Sequence, residues 1–242
     1  MLRGNELFIK TVICYPFFDE EEYKRRVEEL ERLGVEEIIS EGRIKIGEWR
    51  VLGKGHVGVV VSAKHRGKDV ALKIRRVDAN RDSMLYEAEL LKRANRIGVG
   101  PKLIEASKNF IVMEKVKGVR LGDWISEEKD RERLKAVILD LLDQCYRMDR
   151  DGFVHKELSR PENHVIVDLE RLKPVIIDFE TVSVVSKGSN VTSVAGFLFV
   201  GKRGVVKDEE LKRKIVEKLR KYKKERSEES YRELVELIKK VL

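Results

Sequence analysis

Two short apolar runs, Val165-Ile166-Val167 and Val175-Ile176-Ile177, stand on either side of a turn-like Asp-Leu-Glu-Arg-Leu-Lys-Pro segment. Runs this short, almost wholly β-branched and divided by a charged turn, predict a buried pair of strands. The second run ends in Asp178, the first follows Asn163 and His164, and Glu157 lies just upstream. A strand pair holds its ends rigidly, so these groups can converge on one small volume. Oxygen and imidazole donors at loop and strand ends suit a divalent metal that carries phosphates.

A chain of 242 residues can bury a sizeable core as one two-lobed unit or two small domains. Charged residues make up 39%, and Gln144 is the only glutamine, a balance expected of a heat-adapted organism. The formal charge of +8 favours acidic partners such as nucleotides, nucleic acid or an anionic surface. Cys14 and Cys145 supply neither a disulfide framework nor a zinc pattern, which predicts a reduced cytoplasmic setting. The early apolar stretch LFIKTVICYPFF is broken by Lys10 and Pro16, and no run approaches a membrane span, so no membrane partner is expected.

Asp19 with Glu22 predicts a capping box, Phe18 and Tyr23 a hydrophobic staple, and Gly34 the stop of a helix over about 20–33. Residues 1–42 therefore read as a helical N-terminal extension. The segment WRVLGKGHVGVVVSA then sets Gly53, Gly55 and Gly58 between two apolar runs, a hairpin whose backbone can approach a ligand closely. In the next strand Val70, Leu72 and Ile74 share one face, and Ala71 and Lys73 share the other. A lysine in an apolar strand is costly unless paired, so an acid should meet it; Glu87 and Glu89 on the following helix compete. Two strands joined by Ser107-Lys108-Asn109 come next. A helix over about 126–150 then aligns Leu134, Ile138, Leu141, Cys145 and Met148, and Asp151-Gly152 ends it.

The tail, from Lys207 onward, reads as two helices. The first is basic around most of its girth, and the second is capped by Ser230 with Glu233. They are expected to pack on the preceding domain with a solvated basic face. The sharper reading is an RNA or ribonucleoprotein contact made by phosphate neutralisation.

Taken in order, these segments resemble the protein-kinase superfamily. Gly53, Gly55, Gly58 and Val60 fit its strand-to-strand GxGxxGxV loop, and Val70-Ala71-Leu72-Lys73 is similar to its Val-Ala-Ile-Lys strand. Leu90 and Leu91, three and four places after Glu87, fit the ion-pair helix and favour Glu87 over Glu89. Val112-Met113-Glu114-Lys115-Val116 resembles the hinge, His155-Lys156-Glu157-Leu158 the His-Arg-Asp-Leu loop, and Asp178-Phe179-Glu180 the Asp-Phe-Gly motif. The resemblance implies an α+β, bilobal protein-kinase-like fold: an N-lobe over 43–115, a C-lobe over 116–206, and basic helices over 207–242 packed on the C-lobe.

It also implies roles. Leu52, the three glycines, Val60, Ala71, Met113, and the backbone at Glu114 and Val116 would contact ATP, while Lys73, paired with Glu87, would grip its phosphates. Asp178 with Asn163 or His164 would hold Mg2+ or Mn2+, and Glu157 would orient the attacking hydroxyl. Glu157 stands where the family has Asp, and one extra residue separates it from the metal-binding position. That position falls on Glu162 counted forward and on His164 counted back from the strand. Asp-Phe-Glu is a form also found in choline-kinase-like and aminoglycoside-phosphotransferase-like enzymes. The short segment over 179–189, with no Ala-Pro-Glu after it, resembles the RIO kinases, the kinase subunit of the tRNA-modifying KEOPS complex and, most of all, the predicted archaeal serine/threonine kinases beside them. The implied activity is transfer of the γ-phosphate of Mg-ATP to a serine or threonine of an unidentified protein substrate. The alternatives are an ATP-binding module or ATPase of an RNA-processing or translation-related complex, and a small-molecule phosphotransferase of choline- or aminoglycoside-kinase type.

Overall fold

Asn5 accepts the Phe8 N–H at 3.1 Å and starts α1 (Glu6–Ile13); Asp19 accepts the Glu22 N–H at 2.7 Å and starts α2 (Glu20–Arg32). These N-caps satisfy backbone donors that have no partner within the helix. The structure is a computed structural model describing residues 2–201 and 204–242. Only half of the expected capping box forms, because the Glu22 carboxylate turns to Arg26 at 2.6 Å and Arg25 at 3.0 Å. A charged donor one turn along outcompetes a neutral backbone N–H. Phe18 and Tyr23 do meet, ring centroids 5.6 Å apart, and Gly34 leaves the helix with φ +72°.

The chain forms two compact units, Met1–Asn95 with Pro101–Val116 and Arg96–Gly100 with Lys117–Leu242. In the first unit α2 leads into β1 (Val35–Ile39), followed by β2 (Ile44–Ile46), β3 (Trp49–Val51), β4 (Gly53–Lys54), β5 (Gly58–His65), β6 (Lys68–Arg75), α3 (Leu85–Arg96), β7 (Leu103–Ala106) and β8 (Phe110–Glu114). The antiparallel sheet runs β1-β5-β6-β8-β7, with β4 also on β5. The N-terminal segment is thus more than a helical extension: β1 is an edge strand of the sheet, and α1 and α2 bury Phe8, Val12, Ile13 and Leu30 in its core.

Period two decides the faces. Val59, Val61, Val70, Leu72, Ile74, Phe110 and Val112 turn to this core. Val60, Ala71, Lys73, Ile111 and Met113 turn the other way. Arg26 is wholly buried on the core side and donates to the carbonyls of Ile13 at 2.7 Å and Arg75 at 2.5 Å.

The second unit contains β9 (Gly118–Arg120), α4 (Leu121–Glu127), α5 (Arg131–Asp151), β10 (Val154–His155), α6 (Pro161–His164), β11 (Val165–Asp168), β12 (Lys173–Ile176), β13 (Val182–Ser183), α7 (Asn190–Ala195), α8 (Glu209–Glu225) and α9 (Glu228–Lys239). β11 and β12 are the strand pair read from the apolar runs, in register Val165↔Ile176, and the Asp168 carboxylate holds their turn by accepting from the N–H groups of Glu170 and Arg171. β9 adds a third strand, and a Cβ on Gly118 would sit 2.0 Å from the Val167 carbonyl. α5 begins five residues later than the sequence reading because Asp130 caps it, and it ends at Gly152 with φ +79°.

In the tail, Ser227 rather than Ser230 caps α9, leaving Ser230 buried in the first turn. Glu233 of α9 takes Lys218 and Lys221 of α8, each at 2.7 Å. No helix among the described residues is long and apolar enough to cross a membrane. A sheet-based unit followed by a mainly helical one is the α+β, kinase-like bilobal plan that the resemblance implies.

Candidate active site

In the first unit the glycine hairpin is a tight β structure. Leu52 N–H donates to Val60 O at 2.9 Å, Gly53 lies across from Val60, and Gly55 N–H closes the tip on Gly58 O at 2.8 Å. A Cβ on Gly58 would sit 3.2 Å from two Lys73 side-chain carbons and 3.0 Å from Ile74 O, so the glycine makes room for the lysine stem. Arg76 N–H donates to Val57 O at 2.8 Å, and its guanidinium donates to Gly55 O at 3.1 Å, pinning the tip from beneath.

Lys73 Nζ donates to Glu87 Oε1 at 2.7 Å, each side chain only 6% exposed. Glu89 on the same helix lies out in solvent, 70% exposed, facing Lys92. Two buried opposite charges this close fix the lysine head. Ala71 and Met113 are cross-strand neighbours on the Lys73 face. Glu114 spends its N–H on Lys102 O at 2.8 Å, and Val116 ends this unit's second segment. The sequence reading missed Lys115, whose ammonium bonds Ser62 Oγ at 3.0 Å and pairs with Glu41, holding that carboxyl below its usual range. No motif marks Glu41; only the fold returns it to the sheet.

In the second unit His155 is a buried clamp. Its Nδ1 accepts from Glu157 N–H at 3.3 Å, so Nε2 carries the proton and donates to Ile177 O at 3.0 Å. Burial lowers its pKa and keeps it neutral, as those two bonds require. The imidazole thereby ties the loop bearing Glu157 to the strand end bearing Asp178. Phe179, also buried, meets the ring edge-on with centroids 5.9 Å apart. Asp178 itself is left-handed, φ +69° and ψ +70°, a conformation that costs a residue with a Cβ on the order of 1 kcal/mol and clusters at functional sites.

Glu157, His164 and Asp178 bring one potential ligand atom each within 4.8 Å of one another. His164 Nδ1 is buried without a hydrogen bond, 3.6 Å from Glu157 Oε2, while Thr181 Oγ1 donates to that same oxygen at 3.3 Å. Asn163 is exposed and turned aside, its Oδ1 accepting from Arg120 at 3.3 Å. Glu162 packs over Gly122 and stays outside the cluster. The extra residue is taken up by α6, one helical turn that delivers His164 to the start of β11, where its carbonyl accepts the Ile177 N–H at 2.9 Å. An orphaned buried nitrogen beside two carboxylates fits a divalent cation.

Beneath the loop, Asp149 is a buried hub. It accepts from Ser189 Oγ at 2.7 Å, from the Asn190 backbone and side chain at 2.7 and 2.8 Å, and from Tyr222 OH at 3.0 Å. Asn190 in turn accepts the His155 N–H at 2.8 Å and donates to Phe153 O at 2.9 Å.

Residues 58–190, more than half of the chain, match the RIO domain family. Human and rat serine/threonine-protein kinase D2 are each 32% identical over 161 residues, covering 60% of this chain and 18% of theirs. CBL-interacting protein kinase 21 of Oryza sativa subsp. japonica is 30% identical over 142 residues, 52% of this chain and 26% of its own. The match thus spans roughly a fifth to a quarter of those relatives' length. With a buried lysine–glutamate pair in the glycine-hairpin sheet of the first unit and a carboxylate-imidazole cluster beside the β11–β12 strand pair of the second, the chain belongs to the RIO-domain family of the protein-kinase superfamily.

Proposed function

We propose that the chain transfers the γ-phosphate of ATP to a serine or threonine hydroxyl of a protein, with a divalent cation held by Asp178 and His164. The observation that carries this reading is the buried 2.7 Å Lys73–Glu87 pair on the sheet face that also holds Val60, Ala71 and Met113. The pair holds the lysine ammonium in place on that face, where a phosphate oxygen would gain a charge-assisted hydrogen bond. The apolar Val60, Ala71 and Met113 suit the flat face of a nucleobase, and the glycine tip presents backbone N–H groups to phosphates.

The bound cation supplies charge neutralisation across the phosphates, which is most of what phosphoryl transfer asks of a protein. Glu157 accepts the proton of the acceptor hydroxyl or orients it, with its backbone fixed by His155 and its carboxylate by Thr181. His155 remains neutral and serves by position. Lys73→Met and Asp178→Asn should each lower phosphate transfer from radiolabelled ATP by about 10²–10³-fold or more. Unchanged transfer in either variant overturns the reading. Glu157→Gln should lower kcat with little change in the KM for ATP.

One observation favours a second acceptor class. Between Asp178 and α7 the chain forms only a short helical turn and the two-residue strand β13, a small platform for holding a peptide. Hydroxylated metabolites that stimulate ATP turnover where proteins do not would replace the protein acceptor with a small molecule.

A further inference from the structure

We propose that the cation site of this chain is built for a 3d divalent ion, manganese first, in preference to magnesium, with His164 Nδ1 as a direct ligand. This rests on the metal-dependent reading above and goes beyond it by naming the ion class and the ligand atom that selects it. Asn163, the neutral amide ligand at hand, is exposed and has its Oδ1 accepting from Arg120 at 3.3 Å. In its stead the strand register brings an imidazole among two carboxylates, all three ligand atoms within 4.8 Å.

The Nδ1 atom has no hydrogen bond and almost no solvent contact, and Glu157 Oε2 is 3.6 Å off, beyond hydrogen-bond reach. A buried nitrogen lone pair left unmatched is a cost that a cation removes. The ring is also held for that purpose: its backbone carbonyl is fixed by Ile177 N–H, and the His155 ring lies against it at 5.7 Å between centroids. Both flanking carboxylates are fixed through the same elements, Glu157 through His155 and Thr181, and Asp178 by the strand end that His155 clamps.

Magnesium is a hard ion that prefers oxygen ligands and gives up its waters reluctantly, whereas imidazole nitrogen suits the 3d ions. Manganese accepts both donor types and still takes the near-octahedral shell that phosphate oxygens and water complete. A ligand set of the His164 imidazole and the Asp178 carboxylate, with Glu157 alongside, therefore discriminates by ligand softness.

The test uses the full chain and added Mn2+. Electron spin echo envelope modulation of the Mn2+ complex should show a directly bonded imidazole nitrogen, and Mg2+ should displace the ion only at an excess on the order of tenfold or more. His164→Asn should remove the nitrogen modulation and weaken Mn2+ by about 10–100-fold, with much less effect on Mg2+. Circular dichroism melting shows whether that variant is folded, and the wild-type spectrum decides the question without it. An all-oxygen Mn2+ shell, or equal displacement by Mg2+, overturns the proposal while leaving the kinase reading intact. Nitrogen-ligated Mn2+ in a protein that transfers no phosphate from ATP has the opposite meaning: the site stands and the phosphotransfer reading falls.

Discussion

Glu87 is worth more to this protein than a helix-face acid because its partner is buried. Glu87→Ala removes a buried counter-charge of the Lys73 ammonium in a nearly dry environment, which should cost about 3–5 kcal/mol in urea unfolding as well as activity. Glu89→Ala, on a residue 70% exposed, should change neither beyond a few tenths of a kcal/mol. That choice was legible in the chain, since a lysine on an apolar strand needs an acid and the two leucines after Glu87 set its helix face. His164 was half legible: counting back from Val165 reaches it, but counting forward from Glu157 does not, because the surplus residue is coiled into α6. Asp149 was not legible at all. At the end of a helix it looks like a solvated acid, and its partners lie about 40 and 73 residues further on. Asp149→Asn should destabilise the protein by about 1.5–3 kcal/mol and Tyr222→Phe by about 1 kcal/mol, both read by chemical denaturation.

At the scale of elements, the strands and helices that the chain announced are those with a strong local signal. β5, β6, β8, β11 and β12 carry apolar runs or clean alternation, and α2 and α5 carry both a cap and a stop. β1 carries Glu36 and Glu37 in five residues, and β9 is three residues long, so each is made a strand by its neighbour rather than by its own composition. The α8–α9 hairpin has its own measurable signature. Lys218 and Lys221 hold the Glu233 carboxyl down to about 2 from an ordinary 4.5. A depressed folded-state value means the contribution is complete above about pH 4.5 and lost as pH falls toward 2. Protection factors of the α9 amides, taken against the intrinsic rate at each pH, should therefore fall across that window, and Glu233→Gln should flatten the dependence.

For the whole molecule, the 51 basic residues are less available than their number suggests, because carboxylates sit among them. Lys212, Lys214, Lys218 and Lys221 of the tail already face Glu209, Glu210 and Glu233. Retention on a polyanion column should accordingly be weak and vanish at modest salt, with a shallow slope of affinity against salt. Strong, steeply salt-dependent retention would restore the ribonucleoprotein alternative.

The layer of α1 and α2 against the sheet bears on how this gene can be cut. The stretch that matches the family opens at residue 58, inside the hydrophobic sandwich and after β1, β3 and both N-terminal helices. A clone trimmed to 58–190 would expose Val59, Val61, Leu72 and Ile74 to water and strip β5 of its outer neighbour, an invitation to edge-to-edge aggregation. Such a fragment should collect in inclusion bodies while the 242-residue chain stays in the supernatant. The border of a conserved profile and the border of a foldable piece are different places in this sequence.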